Sequence, residues 1–517
     1  MKREEHLAKI DARKKPWDVL IIGGGASGLG AAVDAASRGY RTLLLEKYDF
    51  AKGTSSRSTK LVHGGVRYLQ NGDVSLVIEA LKERGIMRKN APHLVQDLSF
   101  VIPSYDWWNS PFYGIGLKIY DMMAGNLGLG PSTLLDRQET IDLIPNVKKE
   151  GLRGGVIYHD GQFDDARMAI SLAQTAENHG ASLLNYFSVT GMNKENNMIS
   201  GVQAKDELSG KTYSIEARVV INATGVFSDE VIQMDQRDAK KRIVPSQGVH
   251  IVLDKRFLSG PHAIMVPHTS DGRVLFAVPW NGYVVVGTTD TQIKEALVEP
   301  IAQEEEIQFI LDNAGMYMTT PPTRDDIKSV FSGLRPLAAP ENDGSATKEI
   351  SRHHKVIVST SGLVSILGGK WTTYRKMAED IINTAQSVGG LPERGCITHN
   401  LPVHGYDYNS DWTNPLHVYG VDIDKIIKLD PEGNTSLSKE VHLTKNQVIW
   451  AVREEMAMTV EDVLARRTRV LFLNASESLI LAPTVAAIMG KEMGKDSSWI
   501  ATQIENYTTL TQNYLMK

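Results

Sequence analysis

The first part of the chain combines short apolar runs with a helical pattern. Residues 18–22 form an apolar, β-branched run that predicts a buried strand. This run leads directly into a glycine-rich turn, and residues 27–38 then follow the alanine-rich pattern of a helix. Because residues 41–45 predict a second strand, the region has the order of a parallel β-α-β unit.

Further along, the hydrophobic pattern predicts more strands and then changes in character. Strands are expected at 155–159, 218–222, 250–253, 274–278, 283–287, 355–359 and 363–367. Helical returns favour an α/β fold, whereas the closely spaced strands between 245 and 290 indicate an antiparallel sheet. Beyond residue 390 the patterns are helical, over 444–457, 459–472, 475–491 and 496–514.

Composition narrows the class of protein. Hydrophobic residues make up 42% of the chain and charged residues 23%, proportions that are typical of globular proteins. A chain of 517 residues is too long for one hydrophobic core. A net charge of −5 argues against broad nucleic-acid binding. The single cysteine, Cys396, excludes an intrachain disulfide and favours a reducing, cytoplasmic compartment. No apolar run is long enough to predict a membrane-spanning helix.

The glycine-rich turn carries the first chemical signal. Gly23, Gly25 and Gly28 satisfy G-x-G-x-x-G between a strand and a helix, the context that dinucleotide binding requires. The helix N-terminus would face the pyrophosphate. Glu46, at the end of the next strand, can accept hydrogen bonds from ribose hydroxyls, and its charge would repel a 2′-phosphate. The motif predicts a dinucleotide site without separating NAD from FAD.

A second segment narrows the choice of cofactor. Residues 53–68, GTSSRSTKLVHGGVRY, combine hydroxyls, glycines and cations. Together with the glycine turn, this segment resembles the FAD-dependent, aerobic-type glycerol-3-phosphate dehydrogenases. The resemblance covers roughly residues 16–475, through DGQFDDARM (160–168), NATG (222–225), GVHIVL (248–253), PWNGYVVVGTTD (279–290), SGLRPL (332–337), GGKWTTYRKMAE (368–379) and TVEDVLARRTR (459–469).

The resemblance implies a fold with three parts. The first is a Rossmann-like FAD-binding domain of the glutathione-reductase type, similar to D-amino-acid oxidase, formed by 16–90, 150–240 and 350–390. The second is an antiparallel-sheet, substrate-binding domain formed by 91–149 and 241–349. The third is an α-helical C-terminal domain over 391–517.

The resemblance also implies a reaction. sn-Glycerol 3-phosphate would be oxidised to dihydroxyacetone phosphate by hydride transfer to FAD, with the electrons passed to a membrane quinone. Peripheral contact with the inner face of the cell membrane and a homodimer are further expectations, and no metal is expected. The alternative is an FAD-dependent amine or 2-hydroxyacid oxidase of the same superfamily, which would bind a carboxylate, usually through one arginine.

Site residues follow from this chemistry and from the matching motifs. A phosphate needs fixed cations, and alcohol oxidation needs a base, for which histidine near neutral pKa is the usual choice. The predicted catalytic residues are His250 (the first choice for the base), His63 and Arg335. The predicted substrate-binding residues are Arg67, Tyr68, Arg352 and Lys370. Besides the turn and Glu46, the predicted FAD contacts are Thr54, Ser55, Ser56, Lys60, Leu61, His63, Ala223, Gly225, Gly369, Lys370 and Thr372.

Overall fold

Two sheets form the body of the protein. The computed structural model describes residues 1–13, 15–65, 74–106, 109–266, 269–339 and 354–516. Their strands are β1 Trp17–Ile22, β2 Thr42–Leu45, β3 Leu61–Val62, β4 Val95–Ser104, β5 Thr133–Asp136, β6 Gly154–Phe163, β7 Ser182–Leu184, β8 Phe187–Glu195, β9 Met198–Asp206, β10 Thr212–Asn222, β11 Ile243–Asp254, β12 Ala263–Val266, β13 Leu275–Trp280, β14 Tyr283–Gly287, β15 Thr291–Gln292, β16 Ile327–Ala338, β17 Lys355–Val358 and β18 Val364–Leu367.

Helices cover the sheets and form the C-terminal part of the chain. They are α1 Arg3–Asp11, α2 Ala26–Ser37, α3 Val74–Asn90, α4 Asn109–Ala124, α5 Arg137–Leu143, α6 Asp165–Asn178, α7 Ser228–Asp235, α8 Glu304–Gly315, α9 Tyr374–Val388, α10 Ile423–Ile427, α11 Lys445–Glu454, α12 Val470–Leu473, α13 Ala475–Met493 and α14 Ser497–Thr511. Of the helices in the described ranges, none has the length and apolar character needed to cross a bilayer.

The first sheet has the order β17-β18-β10-β1-β2-β7, and its core is parallel. Val19 and Ile21 of β1 pack against α2, α6 and α9, whereas Leu20 and Ile22 face the β8-β9 hairpin and α7. A parallel strand that is buried on both faces needs a continuous apolar run, which is the pattern that predicted β1. The expected β-α-β unit is therefore confirmed.

The second sheet has the order β15-β11-β14-β13-β12-β4-β6-β3, with β16 also paired to β11. Its pairs are antiparallel apart from β12 with β4, in agreement with the sequence pattern between 245 and 290. β3 and β6 also belong to this sheet, since β6 pairs with β4 along its whole length. The structure thus places 61–62 and 154–163 in the second sheet, although the sequence assigned them to the FAD-binding domain.

The C-terminal helices pack on one face of the second sheet. Val252, Trp280 and Phe331 from the sheet share an apolar core with α11 to α14. The predicted helix over 459–472 is interrupted, because a π-helical turn over Asp462–Arg467 precedes α12. Arg469, between these two pieces, has a left-handed backbone with φ of +66°.

Candidate active site

The turn between β1 and α2 lies so close to neighbouring parts of the chain that its glycines leave no space for side chains. Gly23 has φ of +110°, and a Cβ there would lie 2.7 Å from the carbonyl oxygen of Ala223. A Cβ on Gly28 would lie 1.8 Å from the carbonyl oxygen of Gly23, so the helix and the turn approach too closely for any side chain. A Cβ on Gly25 would lie 3.0 Å from Ser55 Oγ. This cradle fits a dinucleotide pyrophosphate, which binds to amides at a helix N-terminus.

Glu46 follows β2 and is held by backbone amides. Its carboxylate accepts hydrogen bonds from Gly24 N at 2.6 Å and from Tyr48 N at 2.8 Å. Withdrawal of the carboxylate from water raises the pKa of Glu46, and the two amides offset that effect only in part. The side chain lies at the carboxyl end of a parallel strand, where dinucleotide-binding folds recognise ribose.

The short turn over 54–56 lies against the glycine turn. Ser55 Oγ accepts a hydrogen bond of 2.9 Å from Ala26 N, at the start of α2. The Ser55 carbonyl accepts one of 2.9 Å from Trp371 Nε1, and Thr54 Oγ1 donates to the carbonyl of Leu334 at 2.6 Å. Three distant parts of the chain therefore meet at the predicted pyrophosphate site.

Other predicted FAD contacts in this segment have side chains that are engaged inside the protein. Ser56 is buried, and its hydroxyl donates to the carbonyl of Gly53. Lys60 is fully buried with Nζ 2.7 Å from Asp165, and burial lowers the pKa of Lys60 to about 7 despite that carboxylate. Leu61 packs into an apolar cluster of the second sheet. The side chain of Lys60 thus points to a carboxylate, where the sequence predicted a cofactor contact.

Two further turns carry predicted FAD contacts. Ala223 follows β10, and its N–H donates to the carbonyl of Ile22 at 2.9 Å. Gly225 has φ of +59° and Gly369 has φ of +95°. A Cβ on Gly369 would lie 2.3 Å from Met377 Cε, so the backbone runs close to α9 at this point. Both turns keep the left-handed backbone that glycine supplies without strain.

His63 lies beside the turn that leads into α9. The carbonyl of His63 accepts a hydrogen bond of 3.4 Å from Thr372 Oγ1, and Lys370 caps the same turn. His63 is half-buried, as are Lys370 and Trp371. The structure therefore brings together a histidine and a lysine that the sequence predicted separately. Arg67, Tyr68 and Arg352 lie outside the described residues.

Arg335 is held at the edge of the second sheet, mainly by neutral oxygens. Nη2 donates to Thr288 Oγ1 at 3.2 Å and to the carbonyl of Thr289 at 3.0 Å. Nη1 donates to the carbonyl of Gln247 at 3.3 Å and lies 3.4 Å from Asp290 Oδ1. The side chain is 29% exposed. A cation fixed in this way is oriented and still accessible to an anionic ligand.

Two glycines let other parts of the protein approach the second sheet closely next to Arg335. Ser246, Gly248 and His250 alternate along one face of β11, and Arg335 and Gly333 of β16 lie opposite the first two. A Cβ on Gly248 would lie 2.5 Å from Arg335 Nη2. A Cβ on Gly333 would lie 2.8 Å from the carbonyl oxygen of Arg57, so the two facing glycines make room for Arg335 and for the chain at Arg57. The sequence did not single out these glycines as part of the site.

His250 is covered by the protein itself. Its ring is 3% exposed and stacks on Phe331 at 4.8 Å, and Nε2 lies 2.9 Å from Thr59 Oγ1. Burial, with smaller contributions from Lys60 and Arg335, holds the pKa of His250 well below its usual value. The expected base near neutral pKa is therefore a neutral, enclosed imidazole in the structure.

Thr59, Thr288 and Asp290 are contacts that the sequence reasoning missed. The last two lie in PWNGYVVVGTTD (279–290), where hydroxyls and a carboxylate follow an apolar strand. That change from apolar to polar at the end of a strand is the signal that could have found them. Thr59 carries no comparable signal, because its partner is remote in sequence.

The parallel sheet with its glycine cradle, and the second sheet that presents Arg335, define an FAD-dependent oxidoreductase. A family model described as FAD dependent oxidoreductase matches residues 18–375. A second, described as the C-terminal domain of alpha-glycerophosphate oxidase, matches residues 364–499. The two matches span both sheets and most of the helical part.

Relatives narrow the assignment. The mitochondrial glycerol-3-phosphate dehydrogenases of Macaca fascicularis and Homo sapiens are each 38% identical, over 97% of this chain and 74% of theirs. A glycerol-3-phosphate dehydrogenase from Bacillus halodurans, solved with FAD, has a TM-score of 0.81 and 28% identity, over 99% of this chain and 98% of that one. The chain belongs to the FAD-dependent glycerol-3-phosphate dehydrogenase family, and FAD is its cofactor.

The fold is shared more widely than the sequence. An L-alpha-glycerophosphate oxidase from Mycoplasma pneumoniae, with FAD bound, has a TM-score of 0.57 at 16% identity, over 74% of this chain and 96% of that chain. A glycine oxidase from Bacillus cereus has a TM-score of 0.54 at 20% identity, over 73% and 96%. At this identity the likeness concerns the fold alone.

Proposed function

We propose that the protein oxidises sn-glycerol 3-phosphate to dihydroxyacetone phosphate and passes the electrons to a membrane quinone. Bound FAD supplies the hydride acceptor. The observation that carries this proposal is the placement of Arg335, a cation that is held by hydrogen bonds to the second sheet and is still 29% exposed, in a chain of this family. Arg335 offers the forked donors that suit a phosphate or an alcohol oxygen.

We assign the remaining substrate contacts to the turn before α9. Lys370 begins the turn whose Thr372 donates a hydrogen bond to the carbonyl of His63, so these two predicted site residues lie in segments that contact each other. Lys370 would hold the phosphate, together with Arg67, Tyr68 and Arg352, which lie outside the described residues. The phosphate charge needs several cations, whereas a carboxylate of the alternative oxidase substrates would need fewer.

We place the base at His63 in preference to His250. A base must come within hydrogen-bond reach of the substrate hydroxyl, and the enclosed ring of His250 lies behind Thr59. His63 is half-buried, and its carbonyl contacts the turn that begins at the predicted phosphate ligand Lys370. A His63→Gln variant whose flavin is reduced at the parental rate would return the role to His250.

An exposed apolar surface supports the proposed membrane contact. α3 and α4 pack together and present Val74, Ile78, Ile119 and Met122, the last 77% exposed. An apolar surface of this kind suits the interface of a bilayer, where a quinone is dissolved. Flotation with liposomes, with and without Met122→Glu, tests this part: equal flotation of both proteins would contradict it.

The cytoplasmic location and the homodimer also remain proposals, and light scattering on the purified protein tests the dimer.

The central experiment follows the flavin absorbance without oxygen. Addition of glycerol 3-phosphate should bleach the band of the bound oxidised flavin, whereas glycerol, glycine and lactate should not. In Arg335→Ala the rate should fall and the preference for the phosphorylated substrate should shrink, with Arg256→Ala, an exposed arginine in the short turn after β11, as the control. Bleaching by glycine or lactate alone would favour the oxidase alternative. Reoxidation by a short-chain quinone, compared with oxygen, tests the acceptor.

A further inference from the structure

The motif over 459–469 contributes three buried arginines to the boundary between the C-terminal helices and the first sheet's domain. Arg466 and Arg467 bind Asp49, and both therefore serve an ion-pair network behind the glycine turn. Arg469 has different partners and reaches the segment over 54–60. That segment carries the predicted pyrophosphate contacts and Thr59. Arg469 therefore binds a part of the chain that belongs to the predicted site.

Arg469 is fixed firmly within its own domain. Nη1 donates to the carbonyl of Ala465 at 2.8 Å, and the guanidinium lies 4.5 Å from the ring centroid of Phe472. The side chain is buried. Nη2 is left to point outward from the C-terminal helices, where it donates to the carbonyl of Ser56 at 2.8 Å and to Asp165 Oδ1 at 3.0 Å.

Asp165, which Arg469 contacts, also binds the residues on both sides of Thr59. Its Oδ2 accepts hydrogen bonds from Ser58 N at 3.0 Å, from Ser58 Oγ at 2.7 Å and from Lys60 Nζ at 2.7 Å. Lys60 Nζ also donates to the carbonyl of Ser56. Asp165 and Lys60 are fully buried. The backbone over 56–60 is therefore tied to one carboxylate, and that carboxylate is tied to Arg469.

Two functional contacts depend on the position of this segment. Upstream, Ser55 Oγ accepts from Ala26 N at the start of α2, where the pyrophosphate is expected. Downstream, Thr59 Oγ1 bonds His250 Nε2. A displacement of the segment would move the first contact and break the second.

We propose that Arg469 is a positioning residue through which the C-terminal domain fixes the 54–60 segment for FAD binding. It acts through Asp165, which holds Ser58 and Lys60 on either side of Thr59. The C-terminal domain thus takes part in FAD affinity without touching the cofactor.

A matched pair of variants tests this role. Arg469→Gln removes the link to the segment. Glu455→Gln breaks another buried ion pair across the same boundary, with Arg167 on α6, two residues from Asp165, and leaves the 54–60 segment untouched. Both variants should lower thermal stability. Only Arg469→Gln should weaken FAD binding to the apoprotein, by about tenfold or more, and raise hydrogen exchange in peptides over 54–61.

The readouts do not involve glycerol 3-phosphate, so they can fail independently of the proposed function. FAD affinity is measured from flavin fluorescence on reconstitution, and the environment of the bound flavin from its visible circular dichroism. The proposal is overturned if Arg469→Gln matches Glu455→Gln in FAD affinity and in exchange over 54–61. If Arg469→Gln does not fold, Ser58→Ala, which removes one Asp165 contact from the segment side, should show the same loss in FAD affinity. Parental affinity in Ser58→Ala would then overturn the proposal.

Discussion

Two buried charged regions lie on either side of the loop that follows β2, and they are balanced in opposite ways. At the glycine turn, Glu46 is held by two backbone amides, and burial raises its pKa. At the boundary with the C-terminal helices, Asp49 binds Arg466 and Arg467, each at 2.5 Å, and these cations hold its pKa below the ordinary value. Arginine side chains neutralise the carboxylate at the domain boundary, whereas backbone amides hold the carboxylate at the glycine turn.

This difference separates residues that stabilise the fold from residues that bind FAD. A buried ion pair is costly to break because the remaining partner is left without compensation. The glycines of the turn have no charged side chains to pair, and they are sensitive instead to added side-chain volume. Substitutions at the glycine turn should therefore change FAD affinity, whereas substitutions at the ion pairs of Asp49 should change the free energy of unfolding.

The largest effect is expected at the cradle. Gly28→Ala should weaken FAD binding by about two orders of magnitude, because the added Cβ would lie 1.8 Å from the carbonyl oxygen of Gly23. Gly53→Ala is the matched control, since a Cβ there meets no atom within 4 Å. Fluorescence titration of the apoproteins with FAD measures both. Equal affinities would show that the cradle tolerates a methyl group.

An intermediate effect is expected at the ion pairs of Asp49 with Arg466 and Arg467. Substitutions there should lower stability and leave FAD affinity unchanged. Arg466→Gln removes one partner each from Asp49, Glu461 and Asp462, and should lower the free energy of unfolding by about 3–5 kcal/mol. Arg453→Gln, at an exposed pair with Glu492, should cost less than about 1 kcal/mol. Denaturant titration gives both values. A large loss of FAD affinity in the folded Arg466→Gln protein would remove the distinction between the two regions.

The smallest effect is expected in the pH dependence of stability. Cations lower the folded pKa of Asp49, Asp165 and Glu461, so their contribution is fully present above the unfolded carboxyl pKa of about 4 and is lost as pH falls through the folded values. Glu46 has the opposite sign, since its raised pKa costs stability as pH rises. Unfolding of the parent should therefore become easier below pH of about 5.

Glu461→Gln sharpens this last prediction. The variant should be less stable than the parent at neutral pH, yet lose less stability on acidification, by an amount on the order of 1 kcal/mol. Urea denaturation at a series of pH values compares the two proteins. Parallel pH profiles would mean that the pKa of Glu461 is the same in the folded and unfolded states, which would contradict the prediction.

Local patterns predicted the fold well, because each signal lies within a short stretch of chain. The strand, turn and helix around Gly23 to Gly28 follow from hydrophobic period and glycine spacing alone. The pairing of β3 and β6 into the second sheet depends on contacts between remote strands, which no local pattern carries.

The site was predictable to a lesser degree. Arg335 and Lys370 could be selected from motifs; in the structure Arg335 lies at the edge of the second sheet and Lys370 begins the turn before α9, and their roles stay predictions. The orientation of Lys60 could not be foreseen, because Asp165 lies a hundred residues further along the chain. The enclosure of His250 likewise depends on Thr59, which lies in a loop 191 positions earlier in the chain.

The hydrogen bond from Trp371 to the carbonyl of Ser55 joins residues 316 positions apart, and that from Arg469 to Ser56 joins residues 413 positions apart. During synthesis on the ribosome, the strand and turn that are predicted to bind the pyrophosphate emerge early, while both of these anchors emerge late. The nascent chain therefore completes its flavin site only when almost all of it has left the exit tunnel. FAD is thus expected to join a finished polypeptide, and chains cut short before the last helices should accumulate as colourless protein.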